Sequence, residues 1–167
     1  VSVAQHRARS PRSVPCYVLT ISDTRTLETE TSGRTIADLL LAAGHTVVGR
    51  AVVKDEPSDV RRLVAEALQA GAAQAIITTG GTGIAKRDST FEALTALFEK
   101  RIDGFGELFR LISYDEVGSA AMLSRATAGV AGGRVVFLLP GSEAAVKLAM
   151  DRLILPELGH IVGELNK

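Results

Sequence analysis

The segment Ile76-Ile77-Thr78-Thr79-Gly80-Gly81-Thr82-Gly83-Ile84-Ala85-Lys86-Arg87-Asp88 runs from an apolar stretch into three glycines, hydroxyls, two cations and a carboxylate. Glycines allow backbone N–H groups to approach and face an anion, a threonine adds a hydroxyl, and Lys86 and Arg87 supply charge-assisted donors. The pattern reads as an anion-binding loop for a phosphate-bearing ligand. It is not a P-loop, in which the lysine follows glycine and precedes Ser or Thr; here Lys86 stands between Ala85 and Arg87. Nor is it a dinucleotide fingerprint, because the third glycine counted from Gly81 would fall on Lys86. A plain strand-to-helix turn is the alternative, and Asp88 could equally cap the helix that starts near Phe91.

Further candidates follow other apolar runs. Ser22 and Asp23 come after residues 16–21, Asp55 and Glu56 after residues 45–53, and Pro140, Gly141 and Ser142 after residues 134–139. Ser142 also suits a helix N-cap, and the carboxylates also suit solvated loops. Two or three carboxylates beside a phosphate cradle would repel a polyanion unless a divalent cation lay between them, and Mg²⁺ is the usual partner of phosphate oxygens. The residues by themselves thus point to Mg²⁺-assisted phosphoryl or nucleotidyl transfer.

The elements that must position these groups follow from periodicity. Ile36, Leu39, Leu40 and Ala43 trace one helical face closed by Gly44; Val60, Leu63, Val64, Ala67 and Leu68 trace another closed by Gly71. Strands at residues 16–21, 45–53 and 75–79 alternate with these helices, the mark of a parallel sheet covered on its faces. Residues 126–131 and 134–139 flank Gly132-Gly133 and predict a β-hairpin, an antiparallel element in the sheet. The fold class expected is therefore α/β: three layers, a mostly parallel sheet with helices on both faces, and one antiparallel hairpin. Residues 91–98 read as a helix, residues 104–112 as short helices interrupted by Gly104 and Gly106, and a last helix from Glu143 should be kinked or divided by Pro156. In open sheets of this kind ligands bind outside the carboxyl ends of the strands, so the loops listed above should converge on one cleft.

Composition sets the outer bounds. The 167 residues suit one domain, with 46% hydrophobic and 23% charged residues and no apolar run long enough to span a bilayer. With 19 basic and 19 acidic side chains the net charge is zero, which gives no support for a nucleic-acid partner or a membrane surface. The single cysteine, Cys16, lacks metal-spaced neighbours and reads as a buried structural thiol. Residues 1–14 carry Arg7, Arg9 and Arg12 with Ser and Pro and no acidic residue; they read as a flexible basic tail ahead of a single domain at 15–167. They hold no secretory apolar region, and a cytoplasmic location is expected.

Taken together in this order, Leu19-Thr20-Ile21-Ser22-Asp23, Thr79-Gly80-Gly81-Thr82-Gly83 with Arg87-Asp88, Gly104-Phe105-Gly106-Glu107-Leu108-Phe109-Arg110, Ser124-Arg125-Ala126 and Leu139-Pro140-Gly141-Ser142 resemble the MoaB/MogA family of molybdenum cofactor biosynthesis proteins. Residues 109–118 and Pro140-Gly141-Ser142 resemble its MoaB branch more closely. The resemblance implies binding of molybdopterin and ATP and transfer of AMP to the pterin's terminal phosphate, with Mg²⁺ as cofactor. Asp55 and Asp88 match the family aspartates associated with adenylylation and would act as catalytic and metal-positioning groups. Gly80, Gly81, Thr82 and Gly83 would cradle phosphate with Arg87, Ser22 and Asp23 would line the first strand's side, and Ser124, Arg125, Pro140, Gly141 and Ser142 would border the nucleotide or pterin pocket. Arg125 could instead form a surface ion pair. The resemblance also implies a homotrimer or homohexamer and contact with other proteins of the pathway. MoaB-branch members without catalysis tend to lack the acidic pair; this chain keeps it, and the competing readings are a non-catalytic molybdopterin-binding scaffold and a generic sugar- or nucleotide-phosphate enzyme.

Overall fold

Strands buried on both faces read as continuous apolar runs rather than alternating ones, and this chain has three of them at its centre. β1 (Pro15–Ile21), β3 (Ala75–Thr79) and, after Arg134, β6 (Arg134–Leu139) are almost wholly buried, whereas β2 (Thr46–Val53) is half-buried at an edge. The computed structural model describes residues 2–167. Its six strands form one sheet in the order β2-β1-β3-β6-β5-β4, with β5 (Thr127–Ala131) and the two-residue β4 (Lys100–Arg101) completing the far side. The pairs β1·β2, β1·β3 and β3·β6 are parallel, and β5 is antiparallel to both neighbours. The expected hairpin is thus present: Gly132 and Gly133 connect β5 to β6 with φ of 56° and 73°, the left-handed pair that a two-residue turn of this twist requires.

Helices cover both faces, as the sequence predicted. On one side α2 (Ser32–Ala42), α5 (Asp103–Val117), α6 (Glu143–Ala149) and α7 (Leu155–Leu165) bury Ile36, Leu40, Phe109, Val146 and Leu158 against Val18, Ile77 and Phe137. On the other, α3 (Pro57–Ala70) and α4 (Thr90–Thr95) bury Val60, Val64 and Leu94 against Leu19, Ile76 and Leu138. Cys16 is fully buried, and burial pushes its thiol up to about 12, the behaviour of a structural rather than a reactive cysteine. No helix among the described residues is long and apolar enough to cross a membrane.

The structure departs from expectation in two elements, α5 and the N-terminal segment. Gly104 and Gly106 do not interrupt α5, which is continuous; a Cβ on Gly106 would stand 2.7 Å from the Ala126 carbonyl oxygen, so this glycine lets the helix approach β5 closely. As expected, the last helix is divided at Pro156, by way of a π-helical turn at Met150–Ile154, where the Leu155 N–H reaches back to the Met150 carbonyl before the proline enters α7. The arginine-rich segment read as a free tail instead contains α1 (Val3–Ala8), started by a Ser2/Gln5 capping box and packed on α7. Its apolar pattern is weak because α1 buries none of its residues; polar contacts hold it in place.

Candidate active site

Chain order explains where the loops meet. From β1 the chain crosses to β2 on one side and then to β3 on the other, so α2 and α3 lie on opposite faces and a crevice opens between the carboxyl ends of β1 and β3. The glycine turn follows β3 into that crevice. Gly80 donates its N–H to the Leu139 carbonyl (3.0 Å), and a Cβ on it would stand 2.2 Å from the Ile21 carbonyl oxygen, which ties the ends of β1, β3 and β6 together. Gly81, at φ 69°, lies over Thr90; a Cβ there would be 1.9 Å from Thr90 Oγ1 and 2.9 Å from Asp55 Oδ2. The N–H groups of Gly81, Thr82 and Gly83 donate to no protein acceptor among the described residues, although Thr82 is 3% exposed. Buried or half-buried amides without partners are costly unless a ligand or water takes them.

The acidic groups sit around this turn. Asp55 is buried; its Oδ1 accepts the Ser89 hydroxyl (2.8 Å), and its backbone N–H donates to Asp23 Oδ1 (3.1 Å). Asp88 does not cap α4. Its Oδ2 accepts the Ala85 N–H (3.0 Å) and braces the loop from within, and its carboxyl group lies against Gly83. Asp55 Oδ2 and Asp88 Oδ1 accept no hydrogen bond from the described residues. The hydroxyl Thr90 Oγ1 is buried without a partner beside Gly81. Hard oxygen donors of this type suit Mg²⁺, which takes one or two carboxylates, substrate phosphates and water rather than a closed protein cage.

The cations are disposed differently from the sequence reading. Arg87 does not stand free for an anion: it forms a fork to Asp23 (Nε–Oδ2 2.9 Å, Nη2–Oδ1 3.0 Å) and reaches Glu56 (2.8 Å), clasping the loops after β1, β2 and β3. This pairing holds the Asp23 carboxyl below its ordinary range and raises the Arg87 guanidinium. Arg125 supports the glycine turn through the Gly83 carbonyl (3.0 and 2.7 Å), pairs with Glu92, whose carboxyl it lowers, and stacks over Phe91 at 5.0 Å. Lys86 has no carboxylate partner among the described residues.

Two cavities flank the turn. One of about 200 Å³ is lined by Thr20, Ser22, Glu30, Ser32, Thr79 and Gly141; the other, about 470 Å³, by Ile84, Lys86, Asp88, Ser89, Glu92 and Arg125. Ser22, Gly141, Asp88 and Arg125 are thereby brought to the crevice. Pro140 accepts from the Thr79 hydroxyl (2.8 Å), and Ser142 caps α6 by accepting the Ala145 N–H (3.2 Å). Ser124 lines one neighbouring hollow with Arg110 and Arg125 and a second with Pro140 and Ser142. Glu30, Ser32, Ser89 and Thr90 escaped the sequence reading. Glu30 is 2% exposed, bonded to Thr20 (3.1 Å) and to the Gly33 N–H (2.7 Å) and paired with Arg50, yet it comes from a polar stretch without period; its only signal was a position just ahead of a helix.

A mostly parallel sheet whose strand ends present a glycine turn with unpartnered amides, flanked by two carboxylates, defines an open α/β protein with a crevice at the topological switch point, the place where such sheets bind ligands. More specifically, the profile of the probable molybdopterin binding domain matches residues 17–160, and the chain belongs to the MoaB/MogA family. Molybdenum cofactor biosynthesis protein B of Bacillus anthracis is 51% identical over 168 residues, covering 100% of this chain and 99% of the relative. The Bacillus subtilis protein of the same description is 49% identical with the same coverage. Among solved structures, the tungsten cofactor synthesizing protein MoaB from Pyrococcus furiosus superposes with a TM-score of 0.86 at 38% identity, over 95% of this chain and 100% of that one.

Proposed function

We propose that this chain acts in molybdenum cofactor biosynthesis by transferring AMP from ATP to the terminal phosphate of molybdopterin, with Mg²⁺ as cofactor. The pathway assignment is supported by full-length relatives described as molybdenum cofactor biosynthesis protein B. The observation that carries the transferase reading is the pairing of Asp55 and Asp88 with the unpartnered amides of Gly81–Gly83 at the strand ends. An oxygen of the pterin phosphate attacks the α-phosphorus of ATP, the bond to the β-phosphate oxygen breaks, and pyrophosphate leaves. A phosphate monoester is already an anionic nucleophile, so the protein's contribution is alignment and charge stabilisation rather than proton transfer. Gly81, Thr82 and Gly83 would donate to phosphate oxygens, Lys86 would approach the polyphosphate from the larger cavity, and Arg125 would keep the turn in shape. Asp55 and Asp88 would hold Mg²⁺ through their free oxygens, and the ion would offset the charge of the triphosphate. Two cavities on either side of one turn suit two ligands that must meet at it.

The test is pyrophosphate release and adenylyl-molybdopterin formation with ATP, Mg²⁺ and molybdopterin, run on the wild type and on the Asp55→Asn and Asp88→Asn variants. Turnover should fall about a hundredfold or more in each variant, the scale seen when one transition-state-stabilising group is removed. Unchanged turnover in both would refute the site, and pterin binding without product in the wild type would identify a binding scaffold instead.

A further inference from the structure

Away from the crevice, the junction of α1 and α7 gathers two imidazoles and a carboxylate. We propose that His6, His160 and Glu164 form a binding site for a divalent transition-metal ion of the zinc class, which staples the N-terminal segment to the last helix. His160 and Glu164 are four residues apart and share one face of α7, and His6 meets them from α1. His6 Nδ1 is 2.8 Å and His160 Nε2 3.6 Å from Glu164 Oε1, and the ligand atoms of all three lie within 4.8 Å of one another. Ligands placed around a tetrahedral zinc ion at its normal bond lengths are separated by about 3.4 Å, within the range of the two distances seen here.

Two further features fit a metal. His160 Nδ1 is 2.8 Å from Glu157 Oε2, which orients the ring and leaves Nε2 as the ligand atom, the arrangement of a carboxylate behind a metal-bound histidine. The Lys167 ammonium lies 2.6 Å from Glu164 Oε1 and 2.8 Å from His6 Nδ1, so the junction already draws a cation to its centre. Lys167 is more than half exposed and can swing away when an ion enters. Imidazole with carboxylate selects zinc, cobalt, nickel or copper rather than Mg²⁺, which separates this site by chemistry from the carboxylates of the crevice. The physical benefit is local. α1 buries no side chain, and an ion bridging it to α7 would supply the anchoring that an apolar face normally provides.

The experiment is equilibrium dialysis of the untagged full chain against Zn²⁺ and Co²⁺, with visible absorption reporting the Co²⁺ environment. A single ion should bind per chain and raise the melting temperature. His6→Ala and His160→Ala should abolish uptake; His6→Ala removes a side chain from a helix without buried residues, so loss of the remaining fold cannot account for its effect. Glu157→Gln should weaken binding about tenfold or more, and Lys167→Ala should strengthen it by removing the competing ammonium. No uptake at micromolar free Zn²⁺, or uptake that His6→Ala and His160→Ala leave unchanged, would overturn the site.

Discussion

At the scale of single residues, His45 shows how a buried polar group ties stability to pH. The ring is 8% exposed, and its Nδ1 accepts the buried Val14 N–H at 3.1 Å, which requires the neutral imidazole. Burial lowers its pKa from the ordinary value of 6.5. The unfolded chain therefore takes up a proton at a higher pH than the folded one, so the contribution is fully present above the unfolded pKa and is lost as pH falls through it toward the lower folded value. Melting temperature should decline from neutral pH toward pH 5 (roughly one unit or more below an unperturbed histidine), and His45→Asn, whose amide oxygen can accept the same N–H without titrating, should flatten that decline. An equally steep decline in the variant would remove His45 as its source. His45→Ala leaves the Val14 amide unsatisfied and should cost about 1–3 kcal/mol above the unfolded pKa, and less as pH falls and the wild type loses the same contribution.

At the scale of elements, the glycine turn is where substitution should do most damage. Gly81→Ala combines a positive φ with a Cβ 1.9 Å from Thr90 Oγ1. Left-handed strain and the required shift of α4 together should cost about 2 kcal/mol, roughly 4–8 °C in melting temperature for a chain of this size, and adenylyl transfer should fall with it. Gly104→Ala in α5, where nothing lies within 4 Å, is the control and should not lower the melting temperature. The alternating strands and helices up to β3 were legible because each helix carries one apolar face and a glycine stop. The convergence of four loops followed from the topology alone. What the sequence did not disclose depends on approach between distant segments: α5 is continuous because Gly106 fits beneath Ala126, and Arg87 is occupied because Asp23 and Glu56 come from the loops after β1 and β2. α1 was missed for a similar reason, since its partners lie at the other end of the chain and are charged rather than apolar.

At the scale of the whole molecule, α5 has two apolar sides but only one of them meets the sheet. Phe105, Gly106, Phe109 and Ser113 face the interior, while Leu108, Leu111, Tyr114 and Val117 are at least half exposed, and the 3₁₀ turn at Gly118–Leu123 adds Met122 and Leu123 to the same end. Contiguous apolar exposure of this kind is characteristic of an interaction surface rather than of a free one. Zero net charge offers little long-range repulsion between copies. The homotrimer or homohexamer expected from the family resemblance would use this surface, with the apolar centre of an obligate contact. Leu111, at 66% exposure, makes no essential contribution to the interior, so Leu111→Glu should leave the fold intact while placing a charge in the contact. Light scattering should then give the wild type a mass that is a multiple of the 17.6 kDa chain and the variant a smaller one, with matching circular dichroism for the two. A wild type that runs as a single chain would show that α5 does not mediate self-association. A variant assembly of unchanged mass would move the contact to another face.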